Sequence, residues 1–147
     1  MLYSSDPISL YIHIPFCRIK CTYCAFNTYT HLDHLIAAFV QALIKEIQIV
    51  GTAKTGQVLR TLYFGGGTPN LLLPEQIKVI LDAVRENFSV VESAELSLEA
   101  NPADLNREYL VAVRSLGINR LSIGMQSANQ EELDLFARRH DHETVVR

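Results

Sequence analysis

The chain has 147 residues, a length typical of one domain with a substantial core. Hydrophobic residues make up 48% of it and charged residues 20%, as in ordinary globular proteins. The formal net charge is −3, and the 13 lysines and arginines are scattered rather than gathered into a basic stripe. We therefore expect no nucleic-acid partner.

Neither the N-terminal segment nor the most apolar stretch of the chain suggests export or membrane insertion. Residues 1–9 lack the basic region and the apolar stretch of a signal peptide. The most apolar long stretch, residues 32–50, is interrupted by polar side chains such as Asp33, Lys45 and Glu46, so we expect no membrane span. Without an export signal we expect a cytoplasmic protein, in which thiols stay reduced.

The first half of the chain predicts two strands, each followed by a helix. Residues 8–14 are β-branched and aromatic, which indicates a strand. Apolar residues recur at helical spacing over 32–50, and we expect Gly51 to end that helix. A second strand is predicted at 58–64, followed by a helix over about 74–88 that begins with a proline.

The second half repeats this alternation. A third strand is predicted at 94–100, and Asn106 can cap a third helix that Gly117 ends. A fourth strand at 120–126 precedes a helix over about 130–136. The order of strand, loop and helix thus occurs four times, which predicts an α/β fold with parallel strands and right-handed crossovers.

Two architectures fit this order: an open doubly wound sheet, or part of a (β/α) barrel. In both, functional groups collect at the carboxyl ends of the strands. The first predicted strand is followed by all the cysteines of the chain, and the second by the run GGGTP. Glu99 ends the third strand and Gln126 ends the fourth. Four special signals at four equivalent positions indicate a functional site at this edge.

The cysteines have the spacing C-x3-C-x2-C, as Cys17, Cys21 and Cys24. A structural zinc site would need a fourth ligand, which His13 or His31 could supply. An iron–sulfur cluster also suits thiolates, and three cysteines would leave one iron with an open coordination position. An open position is what distinguishes a catalytic metal site from a structural one.

Two further interpretations of the cysteines are weaker. A disulfide with a spare thiol conflicts with the expected reducing compartment and with the odd number of cysteines. Unrelated core cysteines are common singly, but three in one short polar loop do not indicate core packing. We therefore favour the cluster and keep zinc as the alternative.

The motifs around the cysteines resemble a known family. The run YIHIPFCRIKCTYCAFN, followed by YFGGGTP, SLEANP, LGINRLSIGMQS and ARRH, resembles the radical S-adenosylmethionine (SAM) superfamily. Within it, the chain is most similar to the group of the oxygen-independent coproporphyrinogen oxidase and its haem-chaperone relatives. The resemblance runs from about Leu10 to the end of the chain.

The resemblance implies a fold, cofactors and partners. It implies the N-terminal part of a radical SAM partial (β/α) barrel, with a [4Fe–4S] cluster held by Cys17, Cys21 and Cys24. It implies that SAM binds the open iron and that an electron from the cluster cleaves a carbon–sulfur bond of SAM. An electron-donor protein would then be a partner, and so would haem or a porphyrin.

The resemblance also implies which residues contact SAM. Each has a plainer alternative, since the glycine run can be a simple turn, Glu99 a solvated carboxylate and Arg138 a solvated helix charge. We expect His13, His31 and His140 to be structural or solvated residues. The positions that match SAM contacts of the family are Tyr11, Tyr23, Gly66, Gly67, Thr68, Glu99, Gln126 and Arg138.

Two departures point to the haem-chaperone branch. The oxidase carries a further cysteine two residues after the third, where this chain has Phe26. The oxidase also has a longer leader before its first strand. We therefore expect a haem-chaperone-like protein, with the authentic oxidase as the alternative. A zinc-stabilised non-catalytic binding module and an inactive fragment are lower alternatives.

The number of predicted units also falls short of the family. An eight-fold barrel takes about 250 residues, so four units amount to roughly half of one. We therefore expect residues 1–147 to be a truncated radical SAM core domain, the N-terminal portion only.

Overall fold

A computed structural model describes residues 6–53 and 56–146 of the chain. Short 3-10 turns lie at Asp33–Leu35, Pro69–Leu71 and Pro102–Asp104. The strands are β1 (Ile8–Ile14), β2 (Phe16–Cys17), β3 (Tyr29–Thr30), β4 (Val58–Gly66), β5 (Ser89–Ala100) and β6 (Arg120–Ile123). The helices are α1 (Ile36–Ala53), α2 (Pro74–Asn87), α3 (Arg107–Ser115), α4 (Gln130–Leu135) and α5 (His142–Val146).

The sheet confirms the predicted α/β class. Strands β1, β4, β5 and β6 form one parallel sheet in that order, so each strand pairs with its neighbour in the sequence of repeating units. Strands β2 and β3 form a separate short parallel pair beside it. Because all strands of the larger sheet run the same way, their carboxyl ends meet at one edge.

Alternation along β4 and β5 separates an apolar face from a polar one. Leu62 and Phe64 are buried and pair in register with Leu96 and Leu98. Residues between them point to the opposite face, because side chains alternate along a strand. Glu99 therefore lies on the polar face, opposite the core.

The core fills the space between the apolar face and helices α1, α2 and α3. Complete burial of such side chains contributes about 1.5–3 kcal/mol each. Helix α2 contributes the densest set, because its apolar residues follow helical spacing as predicted. The most deeply buried residues are Ile14, Leu59, Leu62, Phe64, Leu72, Ile77, Ile80, Leu81, Val84, Leu98, Val113 and Leu133.

The prediction that Gly51 ends the first helix is wrong. Helix α1 continues through Gly51 to Ala53. A Cβ atom at Gly51 would lie 2.5 Å from Cβ of Asn87, at the end of α2. The glycine is therefore needed for close packing of α1 on α2 and not for a turn.

Other boundaries differ by a few residues. Strand β5 begins at Ser89 rather than at residue 94, and β6 ends at Ile123 rather than at residue 126. The predicted caps of α3 are confirmed: Oδ1 of Asn106 accepts a hydrogen bond from N of Tyr109 at 2.7 Å. Gly117 follows the helix with φ of +105°, a conformation that favours glycine.

By length and composition alone, the helical stretch Asp33–Ala53 could cross a membrane. This is weak evidence for a span, because core helices meet the same criterion. Here α1 buries Ile36, Val40 and Ile47 in the hydrophobic core. The polar side chains within this stretch are thus not sufficient by themselves to exclude a membrane span. The structure instead packs α1 against the hydrophobic core.

Candidate functional site

A cavity of about 530 Å³ opens at the carboxyl edge of the sheet, where the sequence predicted a site. One wall is the cysteine-bearing segment of residues 18–28, which we call the cluster loop. The others are the ends of β4, β5 and β6 and the segment of residues 137–139. Of the predicted site residues, the cavity wall includes Cys21, Cys24, Tyr23, Gly66, Gly67, Thr68, Glu99, Gln126 and Arg138.

The three cysteines are free thiols around this cavity. Cys21 and Cys24 lie on its wall, and N of Cys24 donates to the carbonyl of Cys21 at 3.1 Å. Cys17 ends β2 behind the wall, where Oγ1 of Thr68 donates to its sulfur at 3.5 Å. Within residues 6–53 and 56–146, no three Cys, His, Asp or Glu side chains are arranged to hold a metal ion.

The donor set fits a cluster. Thiolates are the usual ligands of iron–sulfur clusters, and each binds a different iron, so the sulfurs need not converge on one point. Hydrogen-bond donors already face two of the sulfurs, since Nη1 of Arg138 lies 3.3 Å from Sγ of Cys21. Such donors tune clusters and stabilise negative charge on sulfur.

The histidine that zinc would need is engaged elsewhere. Nε2 of His13 donates to the carbonyl of Asn27 at 2.9 Å, and its Nδ1 lies 3.4 Å from the hydroxyl of Tyr11. His31 lies in an exposed turn with φ of +62°. Both positions agree with the structural or solvated roles expected for these residues.

The glycine run lines the cavity and is also bonded to neighbouring backbone. N of Gly67 donates to the carbonyl of Ile14 at 2.7 Å, and N of Thr68 donates to that of Phe16 at 2.8 Å. Gly66 has φ of +113°, and its N donates to Oε2 of Glu99 at 3.1 Å. The loop thus ties β4 to the segment that carries the first cysteine.

Replacing Gly67 by alanine should lower the free energy of unfolding by about 1–3 kcal/mol, the usual cost of overpacking. Its Cβ would lie 2.6 Å from the carbonyl oxygen of Phe16, a backbone atom that cannot move aside. Gly65→Ala is the matched control and should cost less, because its Cβ would meet side-chain ring atoms of Tyr63 and Tyr11 rather than a backbone atom. Urea unfolding followed by circular dichroism measures both, and equal losses would contradict this explanation.

Glu99 is held from two sides. Its Oε1 accepts from the hydroxyl of Tyr63 at 2.7 Å, and its Oε2 accepts from N of Gly66. Burial, and then the hydrogen bond to Glu99, raise the pKa of Tyr63 above its ordinary value. Tyr63 stacks on Tyr11 with ring centroids 6.0 Å apart. Tyr11 is thus connected to Glu99 through Tyr63 and is not part of the cavity wall.

Tyr23 lies on the cavity wall and holds the cluster loop to the end of α4. Its ring makes an edge contact with Phe136 at 5.1 Å between centroids. Burial raises the pKa of Tyr23 and Arg138 acts against that shift. The neighbouring Thr22 donates from its hydroxyl to the carbonyl of Leu135 at 2.8 Å.

Arg138 spans the cavity floor. Its Nη2 donates to the carbonyl of Gly124 at 2.7 Å while its Nη1 reaches Cys21. Its Nε is buried and has no hydrogen-bond partner among the described residues. Gln126 follows in the same loop and has φ of +70°. The prediction that Gln126 ends the fourth strand is wrong, because β6 ends at Ile123.

His140 supports this loop from beneath. It is buried, and its Nε2 donates to the carbonyl of Met125 at 3.0 Å. Burial lowers the pKa of His140, the hydrogen bond to Met125 opposes that shift, and the neighbouring Arg138, Asp141 and Arg139 have smaller effects of both signs. Its burial agrees with the structural role that is one of the two expected for His140.

Stability should fall as the pH drops below 6.5, the ordinary pKa of histidine. The unfolded chain then binds a proton that buried His140 resists, so the stabilising contribution is complete above that pH and declines below it. His140→Gln keeps a donor and should flatten the decline, whereas exposed His34→Gln should not. Urea unfolding at several pH values tests this, and identical profiles for all three proteins would contradict it.

The site also contains polar residues to which the sequence analysis assigned no role. Asn70 and Asn101 exchange hydrogen bonds of 2.9 and 3.2 Å between the turns that follow β4 and β5. Asp104 accepts hydrogen bonds from Arg18 and Arg139, both on the cavity wall. The asparagine of the motif SLEANP was a possible signal for the first pair, but no local pattern pointed to Asp104.

Comparisons with known proteins agree with the geometry. The sequence model of the Radical SAM superfamily matches residues 11–147. An oxygen-independent coproporphyrinogen III oxidase of Synechocystis is 37% identical over 88% of this chain and 28% of its own length. The heme chaperone HemW of Escherichia coli is 36% identical over 96% of this chain and 38% of its own length.

Solved structures give the same result. The coproporphyrinogen III oxidase HemN of Escherichia coli, described as a radical SAM enzyme, superposes with a TM-score of 0.90. It is 36% identical, and the match covers 97% of this chain and 33% of that one. An archaeal Elp3 with a TM-score of 0.55 and 20% identity shares the fold alone. The chain thus spans about a third of the length of these relatives.

Proposed function

The chain belongs to the radical SAM superfamily, whose members use a [4Fe–4S] cluster and SAM, and from this premise we propose that it binds both. We further propose that it serves haem or porphyrin metabolism and that residues 1–147 are the N-terminal portion of the radical SAM core domain. The observation that carries the proposal is the cavity that two free thiols, Glu99 and Arg138 share.

The cluster would be held by Cys17, Cys21 and Cys24. When bound, the cluster supplies the electron for reductive cleavage of SAM. Arg138 and Thr68 would stabilise thiolate charge through the hydrogen bonds that they donate to sulfur. The partly enclosed cavity would limit access of water to the reacting groups.

SAM would occupy the rest of the cavity. The carboxylate of Glu99 has about four acceptor sites, so it can accept two hydroxyl hydrogen bonds from a ribose beside those from Tyr63 and Gly66. The guanidinium of Arg138 suits the SAM carboxylate. Tyr23, Gly66, Gly67, Thr68 and Gln126 line the same space, and Tyr11 would act from outside it through Tyr63.

We propose the haem-chaperone branch rather than the oxidase. Relatives of both names match with similar identity, so the distinction depends on this chain's own residues. Phe26 takes the place where the oxidase has a further cysteine, and its side chain is 69% exposed on the cavity wall. Haem or a porphyrin would then be the cargo or substrate, with an electron-donor protein as partner. A reducing compartment such as the cytoplasm suits the free thiols.

Electron paramagnetic resonance of the anaerobically reconstituted, reduced chain tests the proposal. We expect a reduced [4Fe–4S] signal whose shape changes when SAM is added. A cluster signal that ignores SAM would contradict SAM binding by these residues. Uptake of zinc without a cluster would instead support the non-catalytic binding module.

A further inference from the structure

We propose that Asp104 is a positioning residue that fixes Arg138 and the cluster loop in the geometry that receives SAM. The inference rests on the proposed function and adds to it a residue outside the family motifs quoted above. Asp104 ends the 3-10 turn after β5, and its side chain is only 8% exposed. It is therefore a buried carboxylate behind the cavity wall.

Asp104 joins two arginines from distant parts of the chain. Its Oδ1 accepts from Nε of Arg18 at 2.9 Å, and its Oδ2 accepts from Nη2 of Arg139. Both oxygens are thus occupied by charge-assisted hydrogen bonds, which are stronger than neutral ones. Burial on the carboxylate side reduces screening by solvent and strengthens the attraction further.

The Arg139 contact controls where Arg138 lies. The two residues are adjacent, so anchoring one side chain fixes the backbone that carries the other. Arg138 then extends to the sulfur of Cys21 and to the carbonyl of Gly124. Without that anchor, Arg138 would have only its own contacts to hold it in the cavity.

The Arg18 contact does the same for the cluster loop. Arg18 directly follows Cys17. Its side chain is 54% exposed and is held by the ion pair with Asp104. The pair ties the start of the loop to the 3-10 turn after β5, while Thr22 ties its middle to the end of α4. Asp104 thus joins the cluster loop, the turn after β5 and the segment after α4.

The positive charge around the cavity is a second reason to assign a positioning role to Asp104. Arg18, Arg138 and Arg139 all line one cavity, and three guanidinium groups repel one another. Asp104 lies between two of them and offsets that repulsion. Its removal should therefore displace the arginines and not merely loosen the turn.

The test compares Asp104→Asn, Asp104→Glu and the control Asp82→Asn in the reconstituted full chain. Asp82 pairs with Lys78 on the exposed face of α2, far from the cysteines in sequence. We expect Asp104→Asn to keep its iron content and to raise the dissociation constant for SAM about tenfold, the cost of one strong interaction. Asp104→Glu should restore most of the affinity, and Asp82→Asn should leave it unchanged.

Two outcomes would overturn the proposal: SAM binding by Asp104→Asn that equals the parent, or loss of the cluster in both Asp104 variants. A double-mutant cycle with Arg138→Lys adds a sharper criterion. If Asp104 acts through Arg138, the two changes are not additive, and additive effects would contradict that route.

A measurement without cofactors separates this inference from the proposed function. In the metal-free, nitrogen-15-labelled chain, the buried Nε–H of Arg138 should exchange slowly with solvent. Asp104→Asn should speed that exchange, as measured by nuclear magnetic resonance, and unchanged exchange would overturn the proposal. A chain that never responds to SAM but shows the accelerated exchange would refute the proposed function and leave the positioning role intact.

Discussion

Replacing Cys21 by serine should abolish assembly of the iron–sulfur cluster. The parent chain should bind about four iron atoms after anaerobic reconstitution, and the variant should stay near background. A serine hydroxyl remains protonated at neutral pH and does not replace a thiolate as a ligand of iron. The hydrogen bond from Arg138 would then end on an uncharged oxygen. Iron and sulfide analysis, with the visible absorbance of the cluster, measures the loss.

Ala25→Ser is the matched control for this experiment. It introduces the same residue into the same exposed loop and leaves the three thiols in place. We expect its iron content to equal that of the parent chain. Full cluster content in Cys21→Ser would refute the ligand assignment. Equal uptake of zinc by the parent and by the control, with no iron, would favour the zinc site.

Replacing Glu99 by glutamine should weaken SAM binding roughly ten- to a hundredfold. Hydrogen bonds to a charged group contribute about 1.5–3 kcal/mol, and each 1.4 kcal/mol is a factor of ten in affinity. The amide keeps one acceptor oxygen, but its nitrogen is a donor that would face N of Gly66 or the hydroxyl of Tyr63. Equilibrium titration of the reconstituted chain with SAM measures the change.

The control lies in the same strand. Glu95→Gln makes the same substitution four residues earlier in β5, where the side chain pairs with Arg120 at the surface. It should leave SAM affinity unchanged. If both variants weaken binding equally, the effect comes from the strand rather than from a contact with SAM, and the role of Glu99 would be wrong.

Local patterns predicted most of the fold. Helical spacing located α2, proline and glycine marked turns, and Asn106 capped α3 as expected. Errors occurred where a distant contact overrides a local preference. Glycine is a residue type that often ends helices, but the close approach of Asn87 explains better why position 51 is a glycine. The pair of β2 and β3 is only two residues long on each side, too short for a periodic signal.

The residues of the candidate site also fall into those that local motifs predict and those that depend on distant contacts. Residues within motifs, such as Cys21 and Glu99, were predictable because their motifs lie at or shortly after the carboxyl ends of strands. Tyr63 was not, since its bond to Glu99 joins residues 36 positions apart. Asp104 was harder still, because Arg18 is 86 positions away. Contacts of this kind depend on how the chain folds, and no periodic pattern in the sequence indicates them.

The order of the strands has a consequence for how the chain folds during synthesis. In the sheet β1-β4-β5-β6, every pairing joins a strand to the one before it in that series. A nascent chain can therefore add each strand to an edge that already exists, without threading or waiting for distant segments. The cluster loop emerges early, between β1 and β4, whereas Arg138 emerges only after β6. The thiols are thus exposed on the ribosome before the arginine that faces one of them can arrive.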